Sequence, residues 1–218
     1  LYVKGIAHGE LGLSLTERRD VLEIIKEKLP ATIELILVSV TVAVLLAIPL
    51  GVISALHRNR LVDHLNRIIA LFGVSFPQFW TGIMIQLIFG LALGFLPITG
   101  RLKGTPPEVI THLYLVDSLL TFNLHAFWDS FIHLISPALV LSLSPLANIT
   151  RLIRANMIDE MSKDYINVSK ATGMSGWIVS YKYMLRNAFT SALTMIGFLI
   201  PLMIGTAFVV EKVFAFPG

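Results

Sequence analysis

Four stretches of this chain contain no Asp, Glu, Lys, Arg or His: Leu35 to Leu56, Ile68 to Phe95, Leu134 to Thr150 and Ala188 to Val210. Each is close to the length that ~30 Å of hydrocarbon demands of a helix rising about 1.5 Å per residue. In lipid every backbone amide must find its partner within the chain, so an open sheet is excluded and helices are expected. The reading is an all-α integral membrane protein, a polytopic helical bundle with spans at about 33–56, 68–95, 131–150 and 188–210. Composition agrees: 55% of residues are hydrophobic and 14% charged, against roughly 25% charged in soluble domains. Mean hydropathy is +0.77. The formal net charge of +3 is then read as loop charge rather than as a nucleic-acid footprint.

Between the spans the chain changes character. Residues 1–30 are polar and mixed, and in VLEIIKEKL the side chains of Val21, Leu22, Ile25 and Leu29 share a helical face. Pro30 is expected to end that run or to open the next helix. Pro49 and Gly51 suggest a kink in the first span, and Ser75-Phe76-Pro77-Gln78-Phe79-Trp80 interrupts the second. The connection 96–130 contains an apolar part, Tyr114–Leu124, too short to span and carrying Asp117, which reads as an interfacial helix. The first residue is Leu1 and the last two are Pro217-Gly218, so the chain is read as one transmembrane domain, 1–218, incomplete at both ends.

Four spans place the segments 57–67 and 151–187 on one side. They carry three basic residues in 11 and six in 37, against two in 35 for residues 96–130. That density favours 57–67 and 151–187 as cytoplasmic.

The chemistry is as informative for what is missing. There is no GxxxxGK[ST] loop to cradle a nucleotide, and no cysteine. The six histidines, at 8, 57, 64, 112, 125 and 133, show no ligand spacing; His133, near a span boundary, reads as interfacial. Asp159 and Glu160 are adjacent and do not converge as an acid/base pair. No enzyme, metal site or bound cofactor is expected. Uncharged spans speak against a proton relay, though not against sodium coupling through carbonyls. What the spans offer is neutral: Ser75, Gln78, Gln86, Ser142, Ser144, Asn148 and Thr194 are candidates to line a translocation path, or to bond helix to helix.

The longest polar interruption in the C-terminal half runs from Arg151 to Ala188. Two helix-like runs meet there at Gly173, one ending near Thr172 and one from Ser175 to Asn187. On a 100° wheel Trp177, Ile178, Tyr181, Met184 and Leu185 fall together, with Lys182, Arg186 and Asn187 elsewhere. Such a helix docks on another protein, or rests on its own spans or the lipid surface; wheel geometry leaves these open.

This stretch resembles the cytoplasmic loop of permease subunits of binding-protein-dependent ABC importers. The family's EAA triplet would fall on Asn167, Val168 and Ser169 and is unmatched; Gly173 fits, and the ending Met184-Leu185-Arg186-Asn187-Ala188 lacks the proline. Both departures are similar to the dipeptide/oligopeptide/nickel branch, whose wording reads here Asp164-Tyr165, Ala171-Thr172-Gly173 and Leu185-Arg186-Asn187-Ala188. Leu29–Leu35, Ile48-Pro49-Leu50-Gly51, Ser75–Trp80, Leu96–Gly100, His133–Ala138 and Val210–Gly218 have counterparts too.

The resemblance implies a type I ABC importer permease fold with six helices in the full chain, of which four are seen here. It implies a cell inner-membrane location with the 151–188 loop cytoplasmic. The implied partners are a second, non-identical permease subunit, two ATPase subunits that carry the ATP and Mg, and an external solute-binding protein met by residues 96–130 and the N-terminal stretch. Ala171, Gly173, Met174, Ser175, Trp177, Ile178, Tyr181, Leu185 and Arg186 would couple to the ATPase, with Asp164, Tyr165, Asn187 and Ala188 in support. The implied cargo is di- or oligopeptide, with nickel, glutathione or oligosaccharide as alternatives. An ion-coupled carrier or a non-transporting scaffold are the readings outside the family.

Overall fold

The structure, a computed structural model, describes residues 11–218. Residues 1–10, with His8 and the start of the N-terminal stretch expected at the outer mouth, lie outside it. Seven helices carry the fold: α1 (Val21–Leu56), α2 (Leu61–Ser75), α3 (Gln78–Ala92), α4 (Tyr114–Leu120), α5 (Leu124–Met161), α6 (Asp164–Ala171) and α7 (Gly176–Phe214). α3 turns π-helical over Gln86–Ala92, and α7 over Val179–Met184.

α1, α5 and α7 form the centre, and two layers of apolar side chains join them. At one end Ala31, Leu35, Leu134, Leu141, Ala207 and Val210 are buried together. At the other, Ala47, Val52, Ile149, Ile153, Ala188 and Ala192 are. This pairing makes α1 and α5 parallel and α7 antiparallel to both. The end that carries residues 151–188 is called lower here, its opposite upper. Gly51 is what lets α1 reach α5, since a Cβ there would stand 2.8 Å from Ile153 Cγ2. It thus serves close approach of the two helices, and α1 stays helical through Pro49.

Several expectations need correction. Pro30 neither ends nor opens a helix; it lies inside α1. It deprives the Lys26 carbonyl of its donor, but Lys26 is exposed and water can take that place. Leu22, Ile25 and Leu29 stay exposed, so their shared face has no partner among the described residues. The apolar stretch 68–95 is two helices bent by 105° across Phe76-Pro77. Its start is tied to the lower end through Asp63 and Arg154; just past it the chain is tied to the upper end through Gly100 N to Phe214 O (2.9 Å). The pair is therefore a broken span, not a re-entrant loop. The interfacial helix is shorter than expected, ending at Leu120. His133, near the span boundary, is 4% exposed and packed inside the bundle, with Nδ1 2.8 Å from the Asp129 carbonyl oxygen.

The largest revision concerns length. α5 has 38 residues, about 57 Å at 1.5 Å per residue, and α7 has 39. Both overrun a bilayer's ~30 Å. The 151–187 segment is polar, yet helical except at two turns, because Ile153 and Met157 continue the buried stripe of α5 beyond the apolar run.

At the upper end buried charge is paired. Arg101 donates to Glu34 at 2.5 Å and covers the Tyr114 ring at 3.6 Å, while Glu34 also accepts from Leu115 N at 2.6 Å. Thr32 Oγ1 donates to Glu211 at 2.6 Å, joining α1 to α7.

Candidate functional site

The lower end is built from three pieces: the last turns of α5, α6, and the first turns of α7. α6 is amphipathic on a small scale; Ile166 and Ser169 face inward while Val168 is 62% exposed. Thr172 and Gly173 close it. Gly173 has φ +78°, its N–H donates to Lys170 O (3.0 Å), and Met174 N donates to Ser169 O (3.2 Å). These two bonds with a left-handed glycine are the Schellman arrangement, which satisfies the last carbonyls of a helix while reversing the chain. Ser175 then caps α7, its Oγ accepting from Ile178 N at 3.4 Å.

The result is a helical hairpin with an apolar tip outside the spans. Met174 is 41% exposed, Trp177 70% and Ile178 39%, with Val168 beside them on α6. Trp177 stacks on Tyr181 with centroids 5.1 Å apart, which holds the indole outward. These large apolar side chains form an exposed apolar patch. Ala171, next to the turn, is exposed, as are Lys182 and Arg186 farther along α7.

The helical wheel fails in one respect. Met184 is 2% exposed, and Val179 and Ser180 are buried with it. Residues 179–184 form a π-helical turn, whose i→i+5 bonding widens each turn and rotates later side chains away from their 100° positions. Met184 therefore joins the lower core, and Leu185 packs partly buried against it, while Trp177 and Ile178 stay outside.

A polar junction holds the hairpin to the spans. The Glu160 carboxylate, 7% exposed at the end of α5, accepts from Lys163 Nζ and the Tyr165 hydroxyl. Asn187 Nδ2 donates to the Tyr165 oxygen at 2.9 Å and to Glu160 at 3.3 Å. Asn156 Nδ2 donates to Ala188 O at 3.3 Å, and Ala188 itself is buried. Burial first, then the bond to Glu160, pushes the Tyr165 hydroxyl above its ordinary pKa, and the Glu160 bond raises Lys163. Tyr165, Asn187 and Ala188 are thus brought together, and Asp164 lies exposed in the first turn of α6. The role of Glu160 was missed because in the sequence it reads with Asp159 only as an adjacent pair that does not converge as acid and base. The signal that could have found it is its spacing five residues before Tyr165.

A second tie was missed as well. Asp63, fully buried, receives Arg154 Nε and Nη2 at 2.6 Å each, Ser54 Oγ at 2.5 Å and Asn59 N at 2.9 Å. Nothing in the sequence joins two charges that lie 91 residues apart.

The neutral residues of the spans are not gathered into one place. Ser142 is buried and bonds its own helix at Leu139 O; Asn148 donates to Ser144 O and accepts from Arg151. Gln86 Nε2 donates to Ile98 O (2.8 Å) and Val213 O (2.9 Å), stitching α3 to α7. Gln78 is half-buried at the start of α3. Ser75 and Thr194 are the exposed members. Thr194 lies on a stripe of α7 with Thr190, Gly197, Pro201 and Gly205, all exposed, and a Cβ on either glycine would meet nothing within 4 Å.

The description "binding-protein-dependent transport system inner membrane component" matches residues 47–218. Over its whole length the chain is 41% identical to the probable D,D-dipeptide transport system permease protein DdpB of Escherichia coli (strain K12), covering 64% of that protein. It is 37% identical to the dipeptide transport system permease protein DppB of Alkalihalophilus pseudofirmus, covering 66%. Against the glutathione transport system permease protein GsiC of Escherichia coli O6:H1 the figures are 34% and 62%. The chain thus spans a little under two thirds of the length of these relatives. The membership expected from Gly173 and its flanking residues is borne out: the chain belongs to the family of binding-protein-dependent transport system inner membrane components.

Proposed function

We propose that the protein containing this chain is a permease subunit of an ATP-driven importer, and that it passes di- or oligopeptides across the inner membrane. A solute-binding protein delivers the cargo at the upper end. Two ATPase subunits, which hold the ATP and Mg, dock on the lower hairpin, and a second permease subunit completes the path. Segments 57–67 and 151–187 are cytoplasmic in this reading. The observation that carries it is the exposed tip of Met174, Trp177 and Ile178 on a hairpin set by Gly173. A rigid indole held out from the surface is the kind of anchor that buries in a partner's cleft.

The chain's own geometry supplies a lever. α7 is one helix from Gly176 beside the tip to Phe214 at the upper end, so a displacement at Trp177 travels along it to Glu211 and Thr32. The Glu160–Tyr165–Asn187 junction makes α5 move with it. Peptide cargo is supported by what the relatives' names say of those proteins.

The test is to replace Trp177 with alanine in the full-length subunit, expressed with its partners. Membrane insertion should be unchanged, while the ATPase subunits should co-purify several-fold less. Undiminished co-purification would remove the docking role. An ion-coupled carrier would instead sustain uptake with no ATPase present.

A further inference from the structure

Between α2 and α5, at the lower end, lies a cavity of about 330 Å³. Thr150, 5% exposed, contributes to its lining, with its hydroxyl closed off from solvent. Three arginines line it: Arg67, Arg151 and Arg154. Asp63 neutralises only one of them. Arg154 holds that carboxylate with both nitrogens at 2.6 Å, whereas Arg67 reaches it only at 4.0 Å and donates to His64 Nδ1 at 2.6 Å. Arg151 has a neutral partner, Asn148 Oδ1, at 2.8 Å. The cavity thus carries an excess of two positive charges, and is the right size for a small ligand.

The remaining wall is Ala70, Leu71 and Val74 of α2 and Ala147 of α5, together with Ser54, Asn66 and Ser75, whose donors are spent within the chain on Asp63, Leu50 O and Leu71 O. Arg67 immediately precedes the uncharged run that begins at Ile68, and Arg151 immediately follows the one that ends at Thr150. Both guanidinium groups therefore sit at the edge of the hydrocarbon, and Leu71 and Val74 line the cavity one and two turns deeper. A free anion would need the arginines alone. Charge at the membrane edge continuing into an apolar wall at acyl depth matches a molecule with an anionic head and a hydrocarbon tail.

We propose that this cavity binds an anionic phospholipid, its phosphate between Arg67 and Arg151, and one acyl chain along Leu71 and Val74. The site is distinct from the hairpin tip, so it and the docking role stand or fall separately.

The experiment is native mass spectrometry of the full-length permease purified with its partner subunits, titrated with phosphatidylglycerol and with phosphatidylcholine. The wild type should retain phosphatidylglycerol preferentially. Arg67→Gln with Arg151→Gln should lower that retention about tenfold or more, the scale set by two lost cations at a membrane surface, while the ATPase subunits still co-purify. Arg67→Lys with Arg151→Lys should keep most of it, which separates lost charge from lost folding. Val74→Trp, which fills the apolar wall and leaves the arginines, should also expel the lipid. Inorganic phosphate or a dipeptide added in excess should not displace it. Equal retention in the glutamine or tryptophan variants overturns the proposal. So does displacement by inorganic phosphate, which would make this a simple anion site, or by dipeptide, which would make it part of the cargo path. Absence of preferential phosphatidylglycerol from the wild-type complex, as when the second permease subunit seals the cavity, overturns it equally.

Discussion

Gly173 shows how little a single position needs to do. Its φ of +78° lies where L side chains rarely go, yet a Cβ added there would touch nothing within 4 Å. The constraint is conformational, not steric, and costs an ordinary residue roughly 1–2 kcal/mol. Replacing Gly173 with valine should therefore loosen the turn and lower ATP-coupled uptake while the protein still inserts. Asparagine, which tolerates the left-handed region, should restore most of it. Uptake assays on the two variants check this; full import with valine would remove the turn from the coupling path. Met174 and Trp177, beside it, are legible from sequence as apolar residues in a polar segment. Met184 was legible in the same way and yet belongs to the core, because a π-helical turn lies between it and Trp177.

At the scale of elements, the connection between the broken span and α5 is organised around Asp117. This carboxylate opens α4 and is fully buried. It accepts from Thr111 Oγ1 at 2.6 Å, Thr111 N at 2.8 Å and Ile110 N at 3.3 Å. Burial alone pushes its pKa up, but these bonds outweigh it and the net shift is downward. A lowered folded-state pKa means that Asp117 stabilises the fold fully above its unfolded value, ~3.9. That contribution fades as pH falls through the lowered one. Asp117→Asn should lower thermal stability near neutral pH by about 1–3 kcal/mol. The gap from wild type should close on acidification below the usual aspartate range. A gap independent of pH would show that shape, not charge, matters there. In the sequence Asp117 reads as evidence against a span; that it also folds the preceding loop shows only in the backbone of residues 110–111, which turns toward it.

For the whole molecule, the question is how motion at the tip reaches the spans. Glu160 is the node, since it holds Lys163 from the turn after α5, Tyr165 from α6 and Asn187 from α7. Glu160→Ala leaves the tip intact and should leave the ATPase subunits bound. It should reduce transport several-fold while ATP hydrolysis continues, because α6 and α7 no longer move as one body with α5. Measuring hydrolysis and uptake together on one reconstituted sample decides it, and loss of both in proportion would mean the junction supports folding only.

The sequence by itself determined that this chain crosses a membrane, that it does so as helices, and where charge is forbidden, because those follow from the cost of polar groups in hydrocarbon along a local run of residues. It also pointed to the hairpin through Gly173, whose backbone demand is local. Only the tertiary structure decided the broken second span, the helical continuation of α5 and α7 into the polar segment, and the partners of Asp63, Glu34 and Glu160. Those depend on contacts between residues far apart in the chain, such as Asp63 with Arg154 and Gly51 with Ile153. Burial and pairing at such distances leave no periodicity to read, so the charges that hold the bundle together and the arginine-lined cavity beside them appear only once the helices are packed.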